Sequence, residues 1–178
     1  MSIEPFKIDE ITLTGGGRIG ICRLPGRSGD LAGDVAIIAA YRPAVVVSMT
    51  EAAETAAKGA ADLGPQLAAA GIRHTCFPIR DYGAPALDDP RWPVMAPSLH
   101  ALLDRGGTLL LHCLGGLGRS GMVAMRLLVE RGMNAEDALH HVRAARPGAV
   151  ETEPQAAWAS NRQVTADHVT ADRVEKGH

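Results

Sequence analysis

Short apolar runs alternate along the chain with longer alanine-rich stretches, in which apolar positions recur every three or four residues. The short runs predict β-strands and the longer stretches predict helices. The predicted strands are residues 11–14 and 19–23, which flank the Gly15-Gly16-Gly17 turn as a hairpin, then 44–48, 73–77 and 108–112. The predicted helices are 31–41, 51–63, 65–70, 93–105, 121–131, 135–146 and 152 to about 160. This alternation favours an α/β fold with a central, mostly parallel sheet and helices on both faces.

Helix-capping residues support several of these boundaries, and a change in composition marks the end of the domain. Asn134 followed by Asp137 resembles a capping box, and Gly106 and Gly132 stand where helices should end. After Trp158 the sequence becomes polar and repeats Val-Thr-Ala-Asp. We therefore predict one domain over residues 1–160 and a polar C-terminal tail over 161–178.

Composition narrows the function classes. The chain has 178 residues, 46% of them hydrophobic, and a formal net charge of −2, which is typical of one globular domain. Because no run of Lys or Arg is present, nucleic-acid binding is not expected. No apolar stretch approaches a membrane span and the first residues lack a signal-peptide core, so no membrane partner is expected. Three cysteines without a Cys-x-x-Cys spacing predict reduced thiols and a cytoplasmic location.

One segment carries the chemistry: a buried strand, a glycine-rich loop and an apolar helix, over residues 108–128. Glycines at 115, 116 and 118 allow successive backbone N–H groups to face one point, and the helix N-terminus adds the positive end of its dipole. The segment therefore predicts a phosphate-sized cradle. The residues expected to bind the phosphate are Leu114, Gly115, Gly116, Leu117, Gly118 and Arg119.

Four side chains around this loop have expected roles. Cys113 lies at the base of the cradle, where the N–H groups, the helix dipole and Arg119 favour a thiolate nucleophile. Arg119 can offer two parallel donors to a phosphoryl group. Ser120 is expected to donate its hydroxyl to the cysteine sulfur and help it leave, and His112 is expected to order the loop by hydrogen bonding.

The segment resembles the cysteine-dependent protein tyrosine and dual-specificity phosphatases. Their signature, His-Cys-x-x-Gly-x-x-Arg-Ser/Thr, is met at His112, Cys113, Gly116, Arg119 and Ser120. Weaker similarity to the cyclin-dependent-kinase-associated type covers residues 11–158. The resemblance implies the single-domain cysteine-phosphatase fold and metal-independent hydrolysis through a phosphocysteine, with no cofactor. It implies a phosphorylated protein or a small phosphomonoester as substrate.

Cleavage of a phosphate ester also needs an acid for the leaving oxygen, and a mobile loop is expected to supply it. Asp81 follows a strand in Phe-Pro-Ile-Arg-Asp-Tyr-Gly-Ala-Pro and matches the general-acid position of the family. Asp88 and Asp89 are the alternatives, although aspartates before a helix are usually caps. Gln155 matches a family glutamine that helps to place the hydrolytic water, but it also fits a solvated residue of a helix that Thr152 caps.

Other interpretations stay open at this point. Rhodanese-like and arsenate-reducing enzymes also use a Cys, five residues and an Arg, and a phosphate-binding pseudophosphatase would need the cradle alone. The Gly-x-Gly-x-x-Gly pattern at residues 15–20 is better explained as a turn, since no helix opens there. His140 and His141 lack further ligands at metal-binding spacing. Cys22 and Cys76 are interpreted as core residues, with a redox approach of Cys76 to Cys113 as an alternative.

Overall fold

The computed structural model describes residues 5–162. Its strands are β1 (Asp9–Thr12), β2 (Arg18–Arg23), β3 (Val45–Ser48), β4 (Arg73–Cys76) and β5 (Thr108–Cys113). Its helices are α1 (Leu31–Tyr41), α2 (Ala52–Ala57), α3 (Leu63–Ala69), α4 (Arg91–Asp104), α5 (Gly118–Glu130), α6 (Ala135–Ala145) and α7 (Glu153–Ser160).

The five strands form one sheet in the order β1-β2-β5-β3-β4. Only β1 runs antiparallel, paired with β2 across the glycine turn, and the other pairs are parallel. The central strand β5 is buried at all six positions, which explains its unbroken apolar run. Because ligands bind at the carboxyl ends of parallel strands, this topology presents the end of β5 as the site.

Helices cover both faces of the sheet. Apolar residues of α1 and α3 pack with Val46 and Leu110 on one face. On the other face, α4 to α7 pack with Val47, Leu109 and Leu111. Helix α5 is buried from Gly118 to Val129, so it lies inside this second layer. The predicted α/β fold, with its mostly parallel sheet between helices, is confirmed.

The predicted helix over residues 51–63 is too long, because α2 ends at Ala57 and only Leu63 of this stretch belongs to α3, the counterpart of the helix predicted over 65–70. Gly59 adopts φ +73°, and its N–H and that of Ala60 bond back to Ala56 and Thr55, which ends α2. Pro65 then lies in the first turn of α3, where a missing N–H costs nothing. The break therefore falls at Gly59 rather than at Gly64.

Other boundaries differ by one to three residues. Helix α5 begins at Gly118 rather than at 121, since the Gly121 N–H already donates to the Leu117 carbonyl at 2.9 Å. Strand β5 continues through Cys113, β4 ends at 76, β1 begins and ends two residues earlier than predicted, and α4 begins at Arg91. The cap at Asn134 is confirmed, because its side chain accepts the Asp137 N–H.

Two further points concern the extent of the fold. No helix within residues 5–162 is both long and apolar enough to cross a membrane. Most of the predicted polar tail, from residue 163 onward, lies outside the described residues, so the proposed domain boundary stays a prediction.

Candidate active site

Cys113 ends β5, and the loop 114–117 connects it to the N-terminus of α5. The side chain is 3% exposed. Strand register places Arg23 of β2 beside Cys113, and Ser48 of β3 beside His112. The cysteine therefore sits at the carboxyl end of the central strand, directly below a helix N-terminus, where an anion is favoured.

The carbonyl groups of residues 114–117 are all bonded to atoms outside the loop. Leu114 O accepts from Leu24 N and from Arg27 Nη1, Gly115 O and Gly116 O accept from Arg146, and Leu117 O accepts from Gly121 N. In contrast, the N–H groups of residues 115–117 donate to no acceptor in the part of the chain that the structure describes. The loop carbonyls are thus occupied by donors outside the loop, and the N–H groups of residues 115–117 remain available to an anion.

Gly116 is required by both conformation and contact. Its φ is +69°, and a Cβ there would lie 2.5 Å from the backbone of Cys22. The signature glycine therefore lets the loop press against strand β2, and no other residue fits this position without displacing that strand.

Arg119, on the first turn of α5, is 1% exposed. Its two terminal nitrogens donate to the two carboxylate oxygens of Glu54 at 2.8 and 2.7 Å, and Nη1 also donates to the Ile79 carbonyl at 3.0 Å. Although burial lowers the pKa of Arg119, the Glu54 hydrogen bonds and nearby negative charges hold it above its ordinary value. One edge of the guanidinium is thus fixed, while Nε has no partner within residues 5–162.

Glu54 is a site residue that the sequence analysis missed. It lies on α2, 65 positions from Arg119, and its side chain is 16% exposed. Hydrogen bonds from Arg119 lower the pKa of this carboxyl below its ordinary value. In the sequence it looks like one more acidic residue on a short alanine-rich helix, and only the fold shows what it faces.

Asp81 lies on the loop between β4 and α4, which we call the acid loop (residues 78–90). Its Oδ1 is 2.8 Å from Arg119 Nη2, and its side chain is 47% exposed. The structure therefore places the predicted acid beside Arg119, the residue expected to bind the phosphate together with the cradle loop. Its role in proton transfer stays a prediction.

The alternative aspartates are placed differently. Asp89 bonds to the side chain and the N–H of Arg91, and these hydrogen bonds lower its pKa. It thus accepts the first N–H of α4 from the position before the N-cap residue, Pro90. Asp88 is exposed, and neither residue pairs with Arg119.

The start of α7 holds the acid loop. Thr152 Oγ1 donates to the Tyr82 carbonyl at 3.1 Å, and Gln155 Nε2 donates to the Gly83 carbonyl at 3.2 Å. Gln155 is fully buried, and its Oε1 accepts the N–H groups of Glu151 and Thr152 in a capping box. Both ends of its amide are thus engaged, so the alternative of a solvated helix residue is excluded.

Glu151 is a second carboxylate that the sequence analysis missed. Its Oε2 accepts the N–H of Gly118 at 2.9 Å, on the first turn of α5. A negative charge there is favoured by the helix dipole. Glu151 thus also provides a carboxylate beside the cradle, next to the Gln155 amide.

His112 is fully buried, and its Nε2 shares a short hydrogen bond with Ser48 Oγ, which also bonds to His74 Nε2 at 2.7 Å. Burial lowers the pKa of His112 to about 3, so the ring is neutral. The histidine thus fastens β5 to β3 and β4. Ser120 Oγ is fully buried and without a partner in the described chain, so its bond to the cysteine sulfur stays a prediction.

The structure gives the other two cysteines, Cys22 and Cys76, different surroundings. Cys22 is fully buried, and burial raises its pKa well above the ordinary value. The interpretation of Cys76 as a core residue is wrong, because it is exposed on the edge strand β4. It lies opposite Ser48, which in turn lies opposite His112. Two strand spacings separate Cys76 from β5, about 10 Å between Cα atoms, whereas a disulfide needs less than about 7 Å. The alternative of a Cys76–Cys113 redox pair is therefore excluded in this fold.

Comparison with known families decides the class. The family model described as "Polymorphic toxin system, DSP-PTPase phosphatase" matches residues 20–133, from the second strand to the end of α5 and three residues beyond. That is more than half of the chain. The chain belongs to this family. The resemblance to the dual-specificity phosphatases inferred from the signature is thereby confirmed.

Solved structures of this phosphatase class share the fold. Kinase-associated phosphatase, crystallised with its catalytic cysteine replaced by serine, superposes with a TM-score of 0.79 over 88% of this chain and 93% of that one, at 24% identity. The active form of Tk-PTP covers 80% of this chain and 88% of that one, with a TM-score of 0.64 and 29% identity. The similarity therefore extends across nearly the whole phosphatase fold.

A curated relative matches more narrowly. Protein tyrosine phosphatase type IVA 3 of Bos taurus is 39% identical over 49 residues, which is 28% of this chain and 28% of the relative. The chain thus matches little more than a quarter of the length of that relative. This similarity supports the family and carries nothing about its substrates.

Proposed function

We propose that the protein is a metal-independent phosphomonoesterase that acts through a phosphocysteine intermediate. The observation that supports this most directly is the orientation of the loop 114–117, whose carbonyls are bonded outward while its inner N–H groups have no acceptor among residues 5–162. N–H groups that face one point beside a helix N-terminus favour an anion, so such a loop is suited to bind one. Arg119 Nε is a buried donor that also lacks a partner within residues 5–162.

In the first step the Cys113 sulfur attacks phosphorus, so an S–P bond forms as the bond to the ester oxygen breaks. Asp81 donates a proton to the leaving oxygen, because an alkoxide or phenolate leaves poorly without one. The phosphoryl oxygens bind the loop N–H groups and the Nε edge of Arg119, since Glu54 already holds the other edge. For Asp81 to reach the ester oxygen, it must release Arg119 Nη2, its present partner.

In the second step water attacks phosphorus and the S–P bond breaks, which returns the sulfur as a thiolate. Asp81 accepts the proton from this water. Ser120 is expected to assist by donating its buried hydroxyl to the departing sulfur. Gln155 is expected to place the water by exchanging one of its present hydrogen bonds, and His112 holds the base of the loop through Ser48. The positive charge is supplied by the chain itself, so no cofactor is required.

The substrate class proposed is a phosphorylated protein or a small phosphomonoester. The test is hydrolysis of p-nitrophenyl phosphate in excess EDTA, together with a separate assay, without EDTA, of inhibition by orthovanadate. We expect turnover without added metal, and no turnover by Cys113→Ser, which keeps the cradle but lacks the nucleophile. Cys76→Ser is the matched control and should retain activity. Dependence on a divalent cation, or activity in Cys113→Ser, would contradict the proposal.

A further inference from the structure

The side chain of Arg146 is bonded to the outer side of the cradle. Its Nε donates to the Gly116 carbonyl and its Nη2 to the Gly115 carbonyl, both at 3.0 Å. Its third nitrogen, Nη1, is 2.7 Å from the Asp9 carboxylate on strand β1. We propose that Arg146, oriented by Asp9, is a positioning residue that keeps two N–H groups of the cradle directed at the phosphoryl group; this inference rests on the proposed function.

The reason lies in the peptide plane. Because the bond is planar, fixing the Gly115 carbonyl outward directs the Gly116 N–H inward, and fixing the Gly116 carbonyl does the same for Leu117. These two N–H groups are among those without a protein acceptor in the described chain. Arg146 thus acts on the groups that are expected to bind the anion.

The peptide groups that follow Gly115 and Gly116 need hydrogen bonds from outside the loop more than its other peptide groups do. Gly115 has no Cβ, and one placed there would have its nearest contact at 4.0 Å, with Leu117, so local packing does little to restrain this residue. Glycine also populates more backbone conformations than any other residue, which makes peptide reorientation inexpensive. The neighbouring carbonyls of the loop are held by backbone N–H groups, from Leu24 and from Gly121. Within residues 5–162, the Gly115 and Gly116 carbonyls are held by a side chain alone, whereas the Leu114 carbonyl, which Arg27 also binds, has a backbone donor as well.

Arginine suits this task in a way that lysine does not. Its planar fork spans two successive carbonyls and still leaves one nitrogen for a carboxylate. Asp9 fixes the rotation of that fork, and both side chains are mostly buried, at 13% and 17% exposure. Arg146 itself is the C-cap residue of α6, so the contact also links the hairpin strand β1 to the cradle.

A matched control exists one turn earlier on the same helix. Arg143 donates from Nε to the Ala149 carbonyl at 2.9 Å and from Nη2 to the Val150 carbonyl at 3.0 Å. It therefore makes the same kind of fork to two successive carbonyls, but outside the cradle loop. Loss of either arginine removes two hydrogen bonds to backbone carbonyls. Arg143 reaches the cradle loop only indirectly, because the Val150 N–H donates to the Leu117 carbonyl at 3.4 Å, and the Gly121 N–H holds that same carbonyl at 2.9 Å.

The experiment measures binding of tungstate, a tetrahedral oxyanion, to the full chain by calorimetry, which does not depend on turnover. Arg146→Met keeps the aliphatic stem and should weaken tungstate binding about tenfold or more, since hydrogen bonds to a charged oxyanion contribute roughly that each. Arg146→Lys should also weaken it, because charge alone does not orient the carbonyls. Arg143→Met should bind within about twofold of the unaltered chain. Its thermal unfolding temperature should also fall, though less than that of Arg146→Met, which in addition loses the ion pair with Asp9.

Unchanged tungstate affinity in Arg146→Met or in Arg146→Lys would overturn the inference, and so would equal weakening in Arg143→Met. Should Arg146→Met fail to fold, Asp9→Asn decides: it keeps an acceptor but loses the charge that orients the fork, so a weaker affinity is expected and an unchanged one refutes the inference. If the unaltered chain binds no tungstate, the proposed function itself fails and this inference fails with it.

Discussion

Replacing Glu54 by Gln tests how much the cradle depends on the carboxylate that holds its arginine. The change keeps the shape of the side chain and one acceptor oxygen but removes the charge opposite Arg119. A glutamine also preserves the capping box of α2, in which the Glu54 side chain accepts the Glu51 N–H. The substitution therefore isolates the ion pair from the helix cap.

The expected magnitude follows from the geometry. Two charge-assisted hydrogen bonds of 2.8 and 2.7 Å place the charge centres about 4 Å apart, which gives about 4 kcal/mol at an effective dielectric constant of about 20. Because the amide retains one hydrogen bond and Asp81 still faces Arg119, we expect a net loss of about 2–3 kcal/mol in the free energy of unfolding. For a chain of this size, that lowers the melting temperature by about 4–12 °C.

The pH dependence has a definite sign. The pKa of Glu54 is lowered in the folded state, so its contribution is fully present above the ordinary value of 4.5 and is lost as pH falls through the folded value. The gap in stability between the unaltered chain and Glu54→Gln should therefore be wide at pH 7 and close under acidic conditions. Arg119 stays charged throughout this range.

The assay is thermal or denaturant unfolding at pH 7 and at two pH values below 4.5, together with kcat/KM for p-nitrophenyl phosphate at pH 7. We expect kcat/KM to fall about 10- to 100-fold, because a misplaced Arg119 binds the phosphoryl group poorly. Glu51→Gln, which removes a charge from the same turn, is the control and should leave kcat/KM unchanged. A stability gap that does not narrow in acid would refute the assigned ion pair.

Three further predictions concern the acid, the nucleophile and the glutamine. Asp81→Asn should slow phosphoester cleavage in single turnover about 10²- to 10⁴-fold for poor leaving groups and much less for activated aryl phosphates; the same dependence in Asp89→Asn would contradict the assignment. Iodoacetate should label Cys113 faster than the exposed Cys76 below pH 7, with phosphate protecting it, as measured by mass spectrometry of the labelled peptides. Gln155→Ala should slow both the cleavage step, about tenfold, and phosphocysteine hydrolysis, because the acid loop loses the hydrogen bond from this amide to the Gly83 carbonyl. Burst kinetics separate the two steps, and a defect confined to hydrolysis would show that only water placement matters.

The sequence was most informative where chemistry is local. The strand, loop and helix around Cys113 are contiguous, so their glycines and their signature spacing fixed the family and the position of the cradle. Asp81 was found because the acid loop follows a strand in a recognisable way. Boundaries were less certain: whether a glycine ends a helix depends on φ, and Gly59 rather than Gly64 takes the left-handed conformation.

The sequence could not predict that Glu54, Glu151 and Arg146 support the cradle, and the reason is physical. Glu54 and Arg146 contact the cradle across 65 and about 30 positions of the chain, through side chains whose types are common on helix surfaces. No local pattern separates an exposed glutamate on an alanine-rich helix from one that faces a buried guanidinium. Only the packing of α2 and α6 beside the end of β5 gives them partners.

The base of the acid loop is closed by aromatic rings. Phe77 precedes the loop and Trp92 follows it, with ring centroids 5.8 Å apart, and Trp158 packs edge-on against Trp92 at 5.1 Å. The chain has only two tryptophans, and both are buried in this cluster. Its tryptophan emission therefore arises entirely in this cluster at the base of the acid loop, and the two indoles are close enough to exchange excitation. The protein thus carries its own optical reporter, with which the motion of the loop can be timed by stopped-flow without any attached dye.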